Sequence, residues 1–182
     1  MALSATVYRF HVDLSDLDRH YYAALPLTVA QHPSETAQRM LVRVLVYCLC
    51  AEESLSFTKG LSTDEEPDLW STQPDGRISH WIELGTPDLK RIRQAAAVAD
   101  RVSIFAYGGQ QVESWWQGLQ KDTDKLNKVS IWRLQADDML PLAEGLQRSM
   151  QLSCIIDEGM CTVSWDAGSV NTQVEPVYGA AG

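Results

Sequence analysis

Residues 78–85, Ile-Ser-His-Trp-Ile-Glu-Leu-Gly, followed at once by Thr86-Pro87-Asp88, constrain this chain more than any other stretch. The eight residues alternate with a period of two, the repeat of an extended strand. Ile78, His80, Ile82 and Leu84 share one side and are mostly aliphatic, so they are expected to face a core. Ser79, Trp81, Glu83 and Gly85 share the other, which sends the Glu83 carboxylate toward a cleft or solvent. Thr86-Pro87-Asp88 reads as a helix start, with a capping hydroxyl, a proline at the first helical position and an acid in the first turn. The helix is expected to reach Ala99 and to bury Leu89, Ile92, Ala95, Ala96 and Ala99. Upstream lies an acidic loop of Asp64, Glu65, Glu66 and Asp68, with Asp68 inside Pro67-Asp68-Leu69. A loop carboxylate and a strand carboxylate meeting beside a helix start would form an oxygen-rich pocket suited to a hard divalent cation.

Further strands are expected at 3–13, 24–31, 54–61, 101–107 and 128–134, with three more within 151–175. Long helices are expected at 33–51 and 136–148, and a helix bearing Trp115 and Trp116 follows Gly108-Gly109. These two glycines read first as a turn and more weakly as a phosphate-binding nest. Glu35 admits two readings, a functional acid at a helix entrance or a helical ion pair with Arg39 four residues on. Lys90, Arg91 and Arg93 come early in their helix, the wrong end for cations, which points to a negative ligand or the acidic loop nearby. His20, His32 and His80 are candidate general bases, although each by itself more often caps or packs.

The chain of 182 residues suits one domain over 1–176, with a loose tail at 177–182. No run of 18 apolar residues exists, and the N-terminus lacks the pattern of a signal peptide. A cytoplasmic protein without a membrane partner is therefore expected, with Cys48, Cys50, Cys154 and Cys161 as free thiols. The net charge of −9 argues against tight, sequence-independent binding of nucleic acid, which draws on cations that displace counterions from phosphates. It leaves room for an enzyme that meets DNA or RNA transiently or through a metal.

The order helix, strand, Pro-Asp loop, Glu-bearing strand, helix, strand resembles the core of the PD-(D/E)xK nuclease superfamily. More specifically the chain resembles the bacterial YaeQ family to about Val177. The residues that carry this are Asp18-Arg19-His20-Tyr21-Tyr22, His32-Pro33-Ser34-Glu35-Thr36, Gly60-Leu61-Ser62, Glu66-Pro67-Asp68-Leu69-Trp70, Tyr107-Gly108-Gly109 and Arg148-Ser149-Met150-Gln151-Leu152. The resemblance implies an α+β fold: a mixed central sheet flanked by helices (a restriction-endonuclease-like core), with an N-terminal hairpin and C-terminal strands. It also implies magnesium, or manganese, held by Asp68, Glu83 and the Leu84 carbonyl, with Glu35 as the acid of the first core helix. The metal would polarise a phosphodiester oxygen and help to deprotonate a water. The superfamily's lysine position, two residues after the glutamate, holds Gly85, so Lys90 is the expected substitute. Two readings follow, a metal-dependent phosphodiesterase acting on DNA or RNA, and a catalytically degenerate module that binds or regulates.

Overall fold

The computed structural model describes residues 3–59 and 65–179. The chain opens with strands β1 (Thr6–Asp16) and β2 (Tyr21–Gln31), helix α1 (Ala37–Cys50), and strands β3 (Leu55–Phe57), β4 (Leu69–Thr72) and β5 (Ile78–Leu84). Helix α2 (Leu89–Val98), strand β6 (Ala99–Ala106), helix α3 (Gln110–Leu119), strand β7 (Val129–Arg133) and the short helix α4 (Leu140–Glu144) follow. Strands β8 (Ser149–Asp157), β9 (Met160–Trp165), β10 (Gly168–Gln173) and β11 (Glu175–Tyr178) complete it. The fold is thus mixed α+β with two mixed sheets and four α-helices among the described residues.

The contacts divide the chain into two compact units: residues 1–50 with 136–174, and residues 51–135 with 175–182. In the first, five strands run in the order β10-β9-β8-β1-β2, with β1 and β8 parallel and the other neighbours antiparallel. Burial alternates strictly along β1 and β8, so one sheet face is a core and the other is open. Phe10, Val12, Leu14, Leu152 and Cys154 lie on the core face, while Leu41, Val44, Leu45 and Cys48 of α1 are buried in the same unit. The space left between α1, α4 and the sheet is a small cavity of about 10 Å³, lined by apolar side chains such as Val12, Leu41, Val44 and Leu142.

In the second unit six strands run β11-β7-β6-β5-β4-β3. β3, β4 and β5 form an antiparallel meander, and β5, β6 and β7 are parallel neighbours. Its core gathers Trp81, Ile92, Ala95, Val102, Ile104, Leu119, Leu126 and Ile131. Trp81 is therefore a core residue, and both faces of β5 are buried from His80 to Leu84. This corrects the expected polarity: the side bearing Trp81 and Glu83 belongs to the same core as α2 and does not open to solvent.

Other expected elements shift for local reasons. Helix α1 starts at Ala37 and not at 33, because Thr36 accepts the Arg39 N–H through its hydroxyl at 3.2 Å. The expected helix over 136–148 is a 3-10 turn at Ala136–Met139 plus the five residues of α4, interrupted by Pro141 and ended at Gly145. Val177 and Tyr178, expected in a loose tail, belong to β11, which pairs with β7. The Tyr178 hydroxyl also donates to the Thr123 carbonyl at 2.9 Å. Asp64, the Gly60-Leu61-Ser62 motif and residues 180–182 of the tail lie outside the described residues.

Candidate functional site

Asp68 and Glu83 do come together. Asp68 immediately precedes β4, and Glu83 follows Ile82, the register partner of Leu69. Asp68 is pinned three ways: its N–H donates to the Ile82 carbonyl at 3.1 Å, its carbonyl accepts the Thr58 N–H at 3.3 Å, and Oδ2 accepts the Leu84 N–H at 2.9 Å. The residue expected to lend a metal its carbonyl thus lends its N–H to the neighbouring carboxylate. Both acids are buried, Asp68 at 5% and Glu83 at 8% exposure.

The cation that reaches this pair is Arg91. Its Nε donates to Glu83 Oε1 at 2.7 Å, and Trp81 Nε1 donates to the same oxygen at 2.9 Å. The guanidinium also covers the Trp81 ring, 5.2 Å from its centroid, and its Nη2 donates to the Glu66 carbonyl at 2.8 Å. Burial pushes the Glu83 carboxyl above its ordinary range, and the nearby Asp68 adds to that, while Trp81 and Arg91 pull it back. The early Arg91 of α2 is explained: it ties the acidic loop and the strand acid to the helix start.

Lys90, one residue earlier, is exposed and lines a groove on the outer face of α2 with Leu89, Arg93, Gln94 and Ala97. The helical turn decides between the two: Asp88 caps α2 by accepting the Arg91 N–H at 2.8 Å, and that register turns position 91 inward and position 90 outward. Glu35 belongs to the first unit and is buried there. Its Oε1 accepts Arg39 Nη1 at 3.0 Å and Arg43 Nε at 2.8 Å, and its Oε2 accepts Arg43 Nη2 at 2.7 Å. Of its two sequence readings the ion pair holds, with Arg43 added, a partner that an apolar run from Met40 to Leu49 concealed.

A magnesium ion would need open carboxylate oxygens in this pocket. As arranged, Glu83 Oε1 already accepts two donors, Asp68 Oδ2 accepts a backbone N–H, and a guanidinium stands beside Glu83. An ion here would have to bind through the other oxygens, Glu83 Oε2 and Asp68 Oδ1, and compete with Arg91 for Glu83. Among the described residues no group of three or more His, Cys, Asp or Glu is placed to hold a metal.

A two-unit α+β protein with a buried acidic pair clasped by an arginine is the class these features define. Residues 1–174 match the YaeQ protein family, and the chain belongs to it. It is 40% identical to the YaeQ protein of Salmonella typhi over 164 residues, 90% of this chain and 91% of that one. It is 36% identical to YaeQ of Escherichia coli K12 over 174 residues, 96% of each. Crystal structures of YaeQ proteins superpose on it closely. The Xanthomonas axonopodis pv. citri structure gives a TM-score of 0.90 at 38% identity, covering 95% of this chain and 98% of that one. The Pseudomonas syringae structure gives 0.88 at 36%, covering 98% of each.

Proposed function

We infer that this protein is a binding or regulatory module built on a degenerate PD-(D/E)xK-like core, in which the acidic pair organises the fold. The observation that carries this reading is the Arg91–Glu83 ion pair, 2.7 Å long and reinforced by the Trp81 N–H on the same oxygen. Element order supports the superfamily reading: α1, the antiparallel β3, β4 and β5, then α2 crossing to the parallel β6. Gly85 supports the degeneracy. Its φ of +97° is one that L side chains rarely adopt, so the lysine position is closed by the backbone itself.

A second reading keeps the phosphodiesterase, and one observation favours it: Asp68 Oδ2 accepts the N–H of Leu84, the neighbour of Glu83, so two buried acids lie side by side where a divalent cation would offset their repulsion. Magnesium or manganese would then have to displace Arg91 from the pair, with DNA or RNA as a transient substrate. Incubation of the purified protein with supercoiled plasmid and single-stranded RNA in millimolar Mg²⁺ or Mn²⁺ separates the two. The module reading expects no nicking above that of Glu83→Gln protein prepared in parallel. Metal-dependent nicking by wild type that Glu83→Gln abolishes would establish the enzyme instead.

A further inference from the structure

Independently of the acidic pair, the first unit carries an apolar patch on the open face of its five-stranded sheet. Four large hydrophobic side chains are exposed there: Tyr22 at 62%, Ile155 at 45%, Leu17 at 40% and Met160 at 38%. The register places them together. Ser15 lies opposite both Tyr22 on β2 and Ile155 on β8, so those two flank one small residue, about 10 Å apart at the usual strand spacing. One step nearer the turns, Leu17 donates its N–H to the Ile156 carbonyl at 2.8 Å, and Met160 stands opposite Asp157.

The two turns beside the patch are tied together. The Asp18 carboxylate accepts the Glu158 and Gly159 N–H groups at 2.7 and 3.0 Å, which fastens the β1–β2 turn to the β8–β9 turn. Acidic side chains border and enter the patch: exposed Asp157 lies between Leu17 and Met160, and Asp13 and Glu158 are exposed nearby. Arg19, the nearby cation, is paired with the buried Asp16 at 2.6 Å and covers the Tyr21 ring. The exposed His20 completes the turn. Exposed large apolar side chains interleaved with carboxylates form a candidate interaction surface with an acidic character.

We propose that the Leu17–Tyr22–Ile155–Met160 patch docks a basic amphipathic segment of a partner protein. Its apolar side chains would cover the patch and its lysines or arginines would meet Asp13, Asp157 and Glu158. A second copy would set acid against acid, and an anionic lipid surface would be repelled in the same way. This gives the Asp18–Tyr22 stretch its work: Asp18 locks the turns and Tyr22 supplies the most exposed anchor.

The probe is a fluorescein-labelled amphipathic helix of lysine and leucine, followed by anisotropy on the full-length protein, with a glutamate–leucine helix beside it. The expected result is saturable binding of the basic peptide only, weakened about tenfold or more in Tyr22→Ser/Ile155→Ser. Asp157→Asn/Glu158→Gln should reduce both affinity and salt dependence. Should the first double variant lose its unfolding transition, Leu17→Ser/Met160→Gln makes the same test. Equal binding by the apolar variants would overturn the proposal. So would equal binding of the acidic peptide, a dimer in sedimentation that Ile155→Ser dissociates, or adsorption to phosphatidylglycerol vesicles.

Discussion

His80 and Glu83 sit three residues apart on β5, both buried and both ionisable, and each is a residue whose charge the fold works against. Burial, then the nearby Arg101, lower the His80 pKa to about 4 from 6.5, against a smaller pull from Glu52. Its Nε2 meets the Ser103 hydroxyl at 2.8 Å, and among the described residues Nδ1 finds no hydrogen-bond partner. A histidine whose folded pKa is depressed takes its proton first in the unfolded chain. Stability is therefore unaffected by His80 above pH 6.5 and is lost as pH falls from there toward 4. The full loss is about 3 kcal/mol, at 1.36 kcal/mol per pH step. Urea denaturation at neutral pH and near pH 4.5 should show wild type losing about 2 kcal/mol more than His80→Gln. Equal losses would mean that His80 is not buried in its neutral form. The sequence puts His80 on a strand and Asp68 in the loop before it, and the structure brings Asp68 and Glu83 side by side without showing a metal role for them. What alternation could not give was the partner on the second face of β5, because a strand covered on both sides is amphipathic to neither.

Helix α2 sets the state of the acidic pair through its first turn. The Thr86-Pro87-Asp88 signal marked a helix start, but the cap is Asp88, two residues later than the pattern suggested. That offset decides which basic residue turns inward, and it is Arg91, not the expected Lys90, that reaches Glu83. Replacing Asp88 by Ala should cost about 1 kcal/mol in denaturant unfolding, as the loss of an N-cap usually does. Because Arg91 is the residue whose N–H is capped, the same change should loosen the clasp on Glu83; a change below a few tenths of a kcal/mol would show the cap to be dispensable. Two strands escaped the sequence reading, for different reasons. β4 was hidden inside the acidic loop, yet Gln73-Pro74-Asp75-Gly76, with Gly76 at φ +86°, is the turn that makes it a hairpin with β5. β11 contains Pro176 and pairs with a strand more than forty residues away, so nothing local announces it.

Across the molecule, acidity and the arginine clasp point the same way. A chain of net charge −9 attracts divalent cations weakly and everywhere, while a specific site needs oxygens that nothing else has claimed. Family membership and the α+β class were legible from motifs spread along the chain; the division into two units was not, since residues 136–174 return to pack with residues 1–50. Among the described residues no helix is long and apolar enough to cross a membrane. The account turns on whether Arg91 holds the acidic pair against a cation, and calorimetric titration of wild-type protein with millimolar Mg²⁺ asks this directly. The account predicts no saturable heat beyond that of Glu83→Gln protein. A one-to-one isotherm in wild type that disappears in Glu83→Gln would contradict it.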